Sequence, residues 1–96
     1  MPKSIYKYPL EITDTQPLML PDRAKPLAVG MQNGKLMLWA EVYTDAPLVE
    51  KIIEVFGTGH PMEARPRHYV GTVQTYGSVS GVELVWHVYI QEARGL

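Results

Sequence analysis

Apolar and polar residues alternate with a period of two along most of the chain, and turn-forming residues separate the alternating runs. In "IYKYPLEI" (5–12), Tyr6, Tyr8, Leu10 and Ile12 share one face, and Lys7, Pro9 and Glu11 the other. This predicts a half-buried strand, and Pro9, which has no N–H to give a neighbour, predicts an edge. "TDTQ" breaks the pattern, and "PLML" (17–20) predicts a short second strand closed by Pro21-Asp22. The clearest unit is "PLAVGMQNGKLMLWAEVY" (26–43). Its Asn33-Gly34 pair is the preferred chemistry for a two-residue type I′ turn, which needs φ > 0 at both positions. The turn sets the register of strands 27–32 and 35–43. Gln32 faces Lys35, Met31 faces Leu36, Val29 faces Leu38 and Leu27 faces Ala40, on a face expected to be core.

Residues 45–57, "DAPLVEKIIEVFG", carry two signals. Asp45 and Gly57 suit helix caps, and Val49, Ile52, Ile53 and Phe56 follow helical spacing. Four β-branched residues in the run favour a strand at 49–56 instead. "HYVGTVQ" (68–74) reads as a strand and "TYGSVSG" (75–81) as the loop of a second hairpin. In "VELVWHVYI" (82–90), Val82, Leu84, Trp86, Val88 and Ile90 share one face. Glu83, Val85, His87 and Tyr89 share the other, with His87 expected as a partly buried spacer. Six or seven short strands predict a single all-β domain over 1–96, a small antiparallel sandwich or partly open barrel.

Composition narrows the function. The chain has 96 residues, is 46% hydrophobic and 20% charged, and carries a formal charge of −1. That fits a globular domain, with no whole-protein field favouring nucleic acid or anionic lipid. No apolar run is long enough to span a bilayer as a helix, and the N-terminal stretch lacks a signal-peptide core, so a cytoplasmic location is expected. The absence of cysteine removes disulfides, thiolate metal sites and cysteine nucleophiles.

Several segments together resemble a family of small uncharacterised proteins of bacteriophages and bacterial prophage regions. They are "IYKYPLEITD" (5–14), "QNGKLMLWA" (32–40), "FGTGHP" (56–61), "YVGTVQ" (69–74) and "LVWHVY" (84–89). "GTGHP" is the most specific. Residues 44–51 and those after Gln91 match least. In that family the stretch before "GTGHP" looks like a strand, which favours a strand at 49–56 here. The resemblance implies a phage or prophage origin, and with it the cytoplasm of a bacterial host. It implies no catalytic residue.

Two places are candidate sites. The first is the glycine-rich loop and its sequel: Gly57, Thr58, Gly59, His60, Arg65, Arg67 and His68. Gly57 and Gly59 can take φ > 0, so successive N–H groups can form an anion nest, with the histidines and arginines adding donors. This would be a site for a nucleotide or other small anion, or else a well-made turn. The exposed loop 57–68 should bring His60, Arg65 and Arg67 together if it is a site. The spacing is not that of a P-loop. The second candidate is the back of the first hairpin, where Met37, Trp39 and Tyr43 form an amphipathic strip of the kind that anchors protein interfaces. It would meet a partner protein, a second copy of the chain, or another segment of the same chain. The three histidines lack zinc spacing, and no nucleophile–base–acid set is singled out. The chain is therefore expected to act by binding, without catalysis, cofactor or metal. A host or defence protein is the favoured partner, giving a possible inhibitor; the alternatives are a small anionic ligand or a role as a minor virion or assembly component.

Overall fold

In a computed structural model, which describes residues 2–76 and 83–92, the chain is a sandwich of two antiparallel sheets. Seven strands follow one another: β1 (Lys3–Leu10), β2 (Thr15–Pro21), β3 (Lys25–Gln32), β4 (Lys35–Tyr43), β5 (Leu48–Gly57), β6 (Arg67–Tyr76) and β7 (Glu83–Gln91). The three-stranded sheet A has the order β1-β4-β3, and the four-stranded sheet B the order β2-β5-β7-β6. The expected all-β fold is present, and the sheets do not close into a barrel. Among the described residues, no helix is long and apolar enough to cross a membrane.

Alternation explains the core. Leu36, Leu38, Ala40 and Val42 of β4 point inward and are buried, as are Leu10, Leu20, Ile53, Val55, Val73, Val88 and Ile90 from the other strands. The helical spacing at 45–57 is a coincidence of composition. Ile53 and Val55 face the core, while Glu54 and Phe56 lie on the opposite face of β5. Several strand limits differ from expectation, with β2 starting at Thr15 within the expected break. Ile12 lies beyond β1 and is exposed, and Thr75 and Tyr76 continue β6 instead of opening the hairpin loop. The remainder of that loop and Val82 lie outside the described residues.

The Asn33-Gly34 turn forms with φ of 52° and 73°. The expected pairs Gln32–Lys35, Met31–Leu36 and Val29–Leu38 are present, but Leu27 does not face Ala40. A bulge between Pro26 and Ala28 puts Pro26 opposite Ala40, and Leu27 is turned out and exposed. The cause is the proline. A two-residue turn makes Gln32 and Lys35 a hydrogen-bonded pair, and such pairs alternate with non-bonded ones along an antiparallel ladder. Unbroken pairing would set Pro26 opposite Glu41, in a slot that requires an N–H. The extra residue moves Pro26 to a non-bonded slot and brings Lys25 opposite Glu41.

The same reasoning places the other edge prolines. Thr44 N–H donates to Pro2 C=O (3.1 Å), so Ser4, Tyr6 and Tyr8 bond to β4, while Lys3, Ile5, Lys7 and Pro9 turn their backbone groups outward. Asp22 N–H to Pro47 C=O and Val55 N–H to Asp14 C=O mark the matching slots of β2, where Pro17 and Pro21 face outward. The edges of β3 and β6 lie against each other, and there Gly71 is required by space. A Cβ on Gly71 would lie 2.8 Å from Val29 Cγ2. Gly71→Ala should therefore cost about 1–3 kcal/mol by overpacking, measured as a lower denaturation midpoint. Trimming Val29 to alanine in the same chain should reduce the penalty of the added methyl.

Candidate functional site

The loop between β5 and β6 brings His60 beside Trp86 and Glu63 beside Arg67. Gly57 ends β5 and is buried, while Thr58, Gly59 and His60 are exposed. Gly59 has φ +91°, a conformation that glycine adopts without strain. His60 closes the turn twice: its N–H donates to Gly57 C=O (3.0 Å), and its Nδ1 accepts from Gly57 N–H (3.1 Å). The imidazole lies where a Gly57 Cβ would be, at 2.7 Å, so the glycine makes room for the ring. With Nδ1 accepting, Nε2 carries the proton of the neutral ring.

His60, Arg65 and Arg67 do line one groove, of about 530 Å³, together with Asp14, Glu54 and Glu63. Both guanidiniums already hold carboxylates. Arg67 Nε donates to Glu54 Oε1 (2.8 Å), and Arg67 Nη1 to the Glu63 carbonyl (2.8 Å). Its guanidinium stacks 5.2 Å from the Phe56 ring centre and 5.9 Å from that of Tyr89. The Arg67 and Glu54 side chains are 9% and 6% exposed, so Arg67 is a buried pin and not a loop-tip charge. Arg65 pairs with the Glu63 carboxylate and is itself half-buried, with Nε enclosed and unpartnered. His68 does not join them. One step along β6 reverses its direction, and it lines another groove with Leu20, Pro26 and Ile90.

His87 is half-buried in β7 as expected, but sequence reasoning missed its hydrogen bonds. It links the middle of β6 to the residue that follows β5, on the outer face of sheet B. Its Nε2 is 2.8 Å from Thr58 Oγ1, its Nδ1 is 3.0 Å from Thr72 Oγ1, and Thr72 in turn meets the Tyr69 hydroxyl. Thr72 faces His87 in the β6–β7 register, one that a loop over 75–81 would not give, and the approach of Thr58 depends on the loop and leaves no signal in sequence. Among the described residues no carboxylate joins this chain of hydrogen bonds, which ties strands together without the orienting acid of a catalytic triad. Among the described residues no group of three or more histidines and acids could hold a metal ion.

The second candidate lies on the outer face of sheet A. Met37, Trp39, Glu41 and Tyr43 of β4 alternate with the core residues and are half-buried. Trp39 has room because its neighbours on β3 are Ala28 and Gly30; a Cβ on Gly30 would approach its Cζ3 to 3.4 Å. On the other side stand Ile5, 61% exposed, and Lys7. Lys7 Nζ reaches across the sheet to Gln32 Oε1 (2.7 Å). Tyr43 lies between Lys3 and Arg23, whose charges are 5.3 and 5.2 Å from its ring centre. Lys3 also pairs with Glu41 at 2.7 Å, which raises the lysine and lowers the carboxylate relative to their ordinary pKa values. Their contribution to stability lies between these limits. It disappears as pH falls through the lowered Glu41 value or rises through the raised Lys3 value. No described strand packs on this face.

No curated protein and no solved structure matches the chain. A family model described as a domain of unknown function, DUF7352, matches residues 1–95. With the match running almost end to end, the chain belongs to the DUF7352 family.

Proposed function

We propose that this protein is a phage-related accessory module that binds a host or defence protein in the bacterial cytoplasm, through the outer face of sheet A. One observation carries the reading. Trp39 and Met37, aromatic and thioether groups suited to interface anchors, stand half-exposed on a face that no described strand covers. Ala28 and Gly30 beside them carry no large side chain to cover the indole. The phage context comes from the resemblance of the "IYKYPLEITD" and "FGTGHP" segments. The anion-binding reading of the loop has less support, because both guanidiniums in the groove already hold carboxylates and Asp14 adds a third acid to its wall.

The experiment is capture of host proteins on the immobilised chain, repeated with Trp39→Ala. The wild type should retain one protein in stoichiometric amount, and Trp39→Ala should lose it. The variant should keep its fold, with a stability loss well below the ~3–5 kcal/mol of a fully buried aromatic. Retention of the same protein by Trp39→Ala would rule out this face, and a large loss of stability would make Trp39 a core residue.

A further inference from the structure

We infer that the edge of β1, which no described strand pairs, is the docking line on this face, and that it takes an extended strand carrying acidic side chains on either side of an apolar one. The inference rests on the outer face of sheet A being the binding surface, and it specifies how a partner would bind there.

The four sheet edges are not equivalent. Those of β3 and β6 lie against each other. The edge of β2 lacks donors at two of its four outward positions, Pro17 and Pro21. The edge of β1 presents three successive outward N–H groups, at Lys3, Ile5 and Lys7, before Pro9 ends the series. An incoming antiparallel strand would find both donors and acceptors in register there. The side chains of those three residues lie on the outer face, in the rows of Tyr43, Glu41 and Trp39. A docked strand would thus extend sheet A beside the tryptophan.

Charge selects the occupant. Lys3, Lys7, Lys25 and Lys35 all lie on this face, against Glu41 and Glu11, although the whole chain is slightly acidic. Edge lysines are a common guard against unwanted strand pairing. Here they also discriminate. A two-fold pair of β1 strands centred on Ile5 would use all three donors, but it would set Lys3 against Lys7 of the second copy, twice. A strand reading acid–x–apolar–x–acid would instead place carboxylates on Lys3 and Lys7 and an apolar group on the exposed Ile5.

The probe is a blocked peptide, Thr-Glu-Thr-Val-Thr-Glu-Thr, titrated into the full chain at millimolar concentration and followed by amide hydrogen exchange. At saturation it should slow exchange at Lys3, Ile5 and Lys7 about tenfold and leave Ser4 and Tyr6 at their free rates. Ile5→Pro removes the central donor without touching the ladder to β4, and should abolish the protection while the chain keeps its melting temperature. Should that variant fail to fold, Lys3→Glu with Lys7→Glu serves instead, and should switch preference to the peptide with lysine in place of glutamate. The inference is overturned by absence of protection at saturating peptide, by equal binding of the lysine peptide to the wild type, or by a dimer in sedimentation that protects the same three amides. Failure of the two readings is distinguishable. A host protein that depends on Trp39 but still binds Ile5→Pro removes the edge and keeps the face. Peptide protection at β1, with no host protein depending on Trp39, does the reverse.

Discussion

Arg67→Ala should lower the unfolding free energy by about 3–5 kcal/mol, the usual loss when one partner of a buried ion pair is removed. The guanidinium does three things at once. It neutralises Glu54, whose side chain is enclosed, it fixes the loop through the Glu63 carbonyl, and it covers the rings of Phe56 and Tyr89. Without it, the enclosed Glu54 carboxyl is left with no partner. Glu54→Gln in the Arg67→Ala background should therefore recover much of the loss, because it removes the charge and not the shape. Arg67→Lys should recover less, since a single ammonium cannot bond the carboxylate and the carbonyl in the plane of a fork. Urea unfolding of the four proteins checks this. An Arg67→Ala midpoint close to wild type would mean that the pair is solvated and the loop is free of the sheet.

Leu38→Ala should cost about 2–5 kcal/mol. Leu38 is fully buried at the centre of β4 and packs in the cluster with Leu10, Leu36, Ile53 and Val88. β4 is the central strand of sheet A, held by ladders to β1 and β3, so the cavity cannot collapse by moving an edge. The equivalent truncation at Leu27, which the bulge turns outward, should shift stability by under ~0.5 kcal/mol as exposed changes do. The contrast between the two leucines tests the bulge directly.

Those two leucines also show how far the sequence can be read. Turn chemistry and alternation give Leu38 its place, because Asn33-Gly34 sets the register and a period of two carries it outward from the turn. Leu27 was misplaced because strict alternation was carried through Pro26. The proline held the missing signal: counted back from the turn, it falls in a slot that needs an N–H. The site residues divide in the same way. Met37, Trp39 and Tyr43 are legible as the back of the hairpin. The groove with His60, Arg65 and Arg67 is legible as a cluster, but its neutralisation is not. Glu54 lies on β5, one strand beyond β7 from Arg67 on β6, and nothing local in the sequence pairs the two. Neither the pairing of β1 with β4 nor that of β2 with β5 has a local signal, since both depend on long-range packing.

That strand order has a consequence for how the chain comes into being. Only β3–β4 and β6–β7 join neighbours in sequence; β1 waits for β4, and β2 for β5. Folding dominated by such distant pairings falls in the millisecond-to-second range, because loops must close before any ladder rewards them. During synthesis at about 5–20 residues per second, the first two strands emerge a few seconds before their partners. Throughout that interval they are unpaired, apolar on one face, and next to each other. Pro9, Pro17 and Pro21 lie in these two strands, each at a position where a missing N–H costs nothing in the finished sheet. In the nascent chain the same three residues remove donors from any ladder that would form through those outward edges.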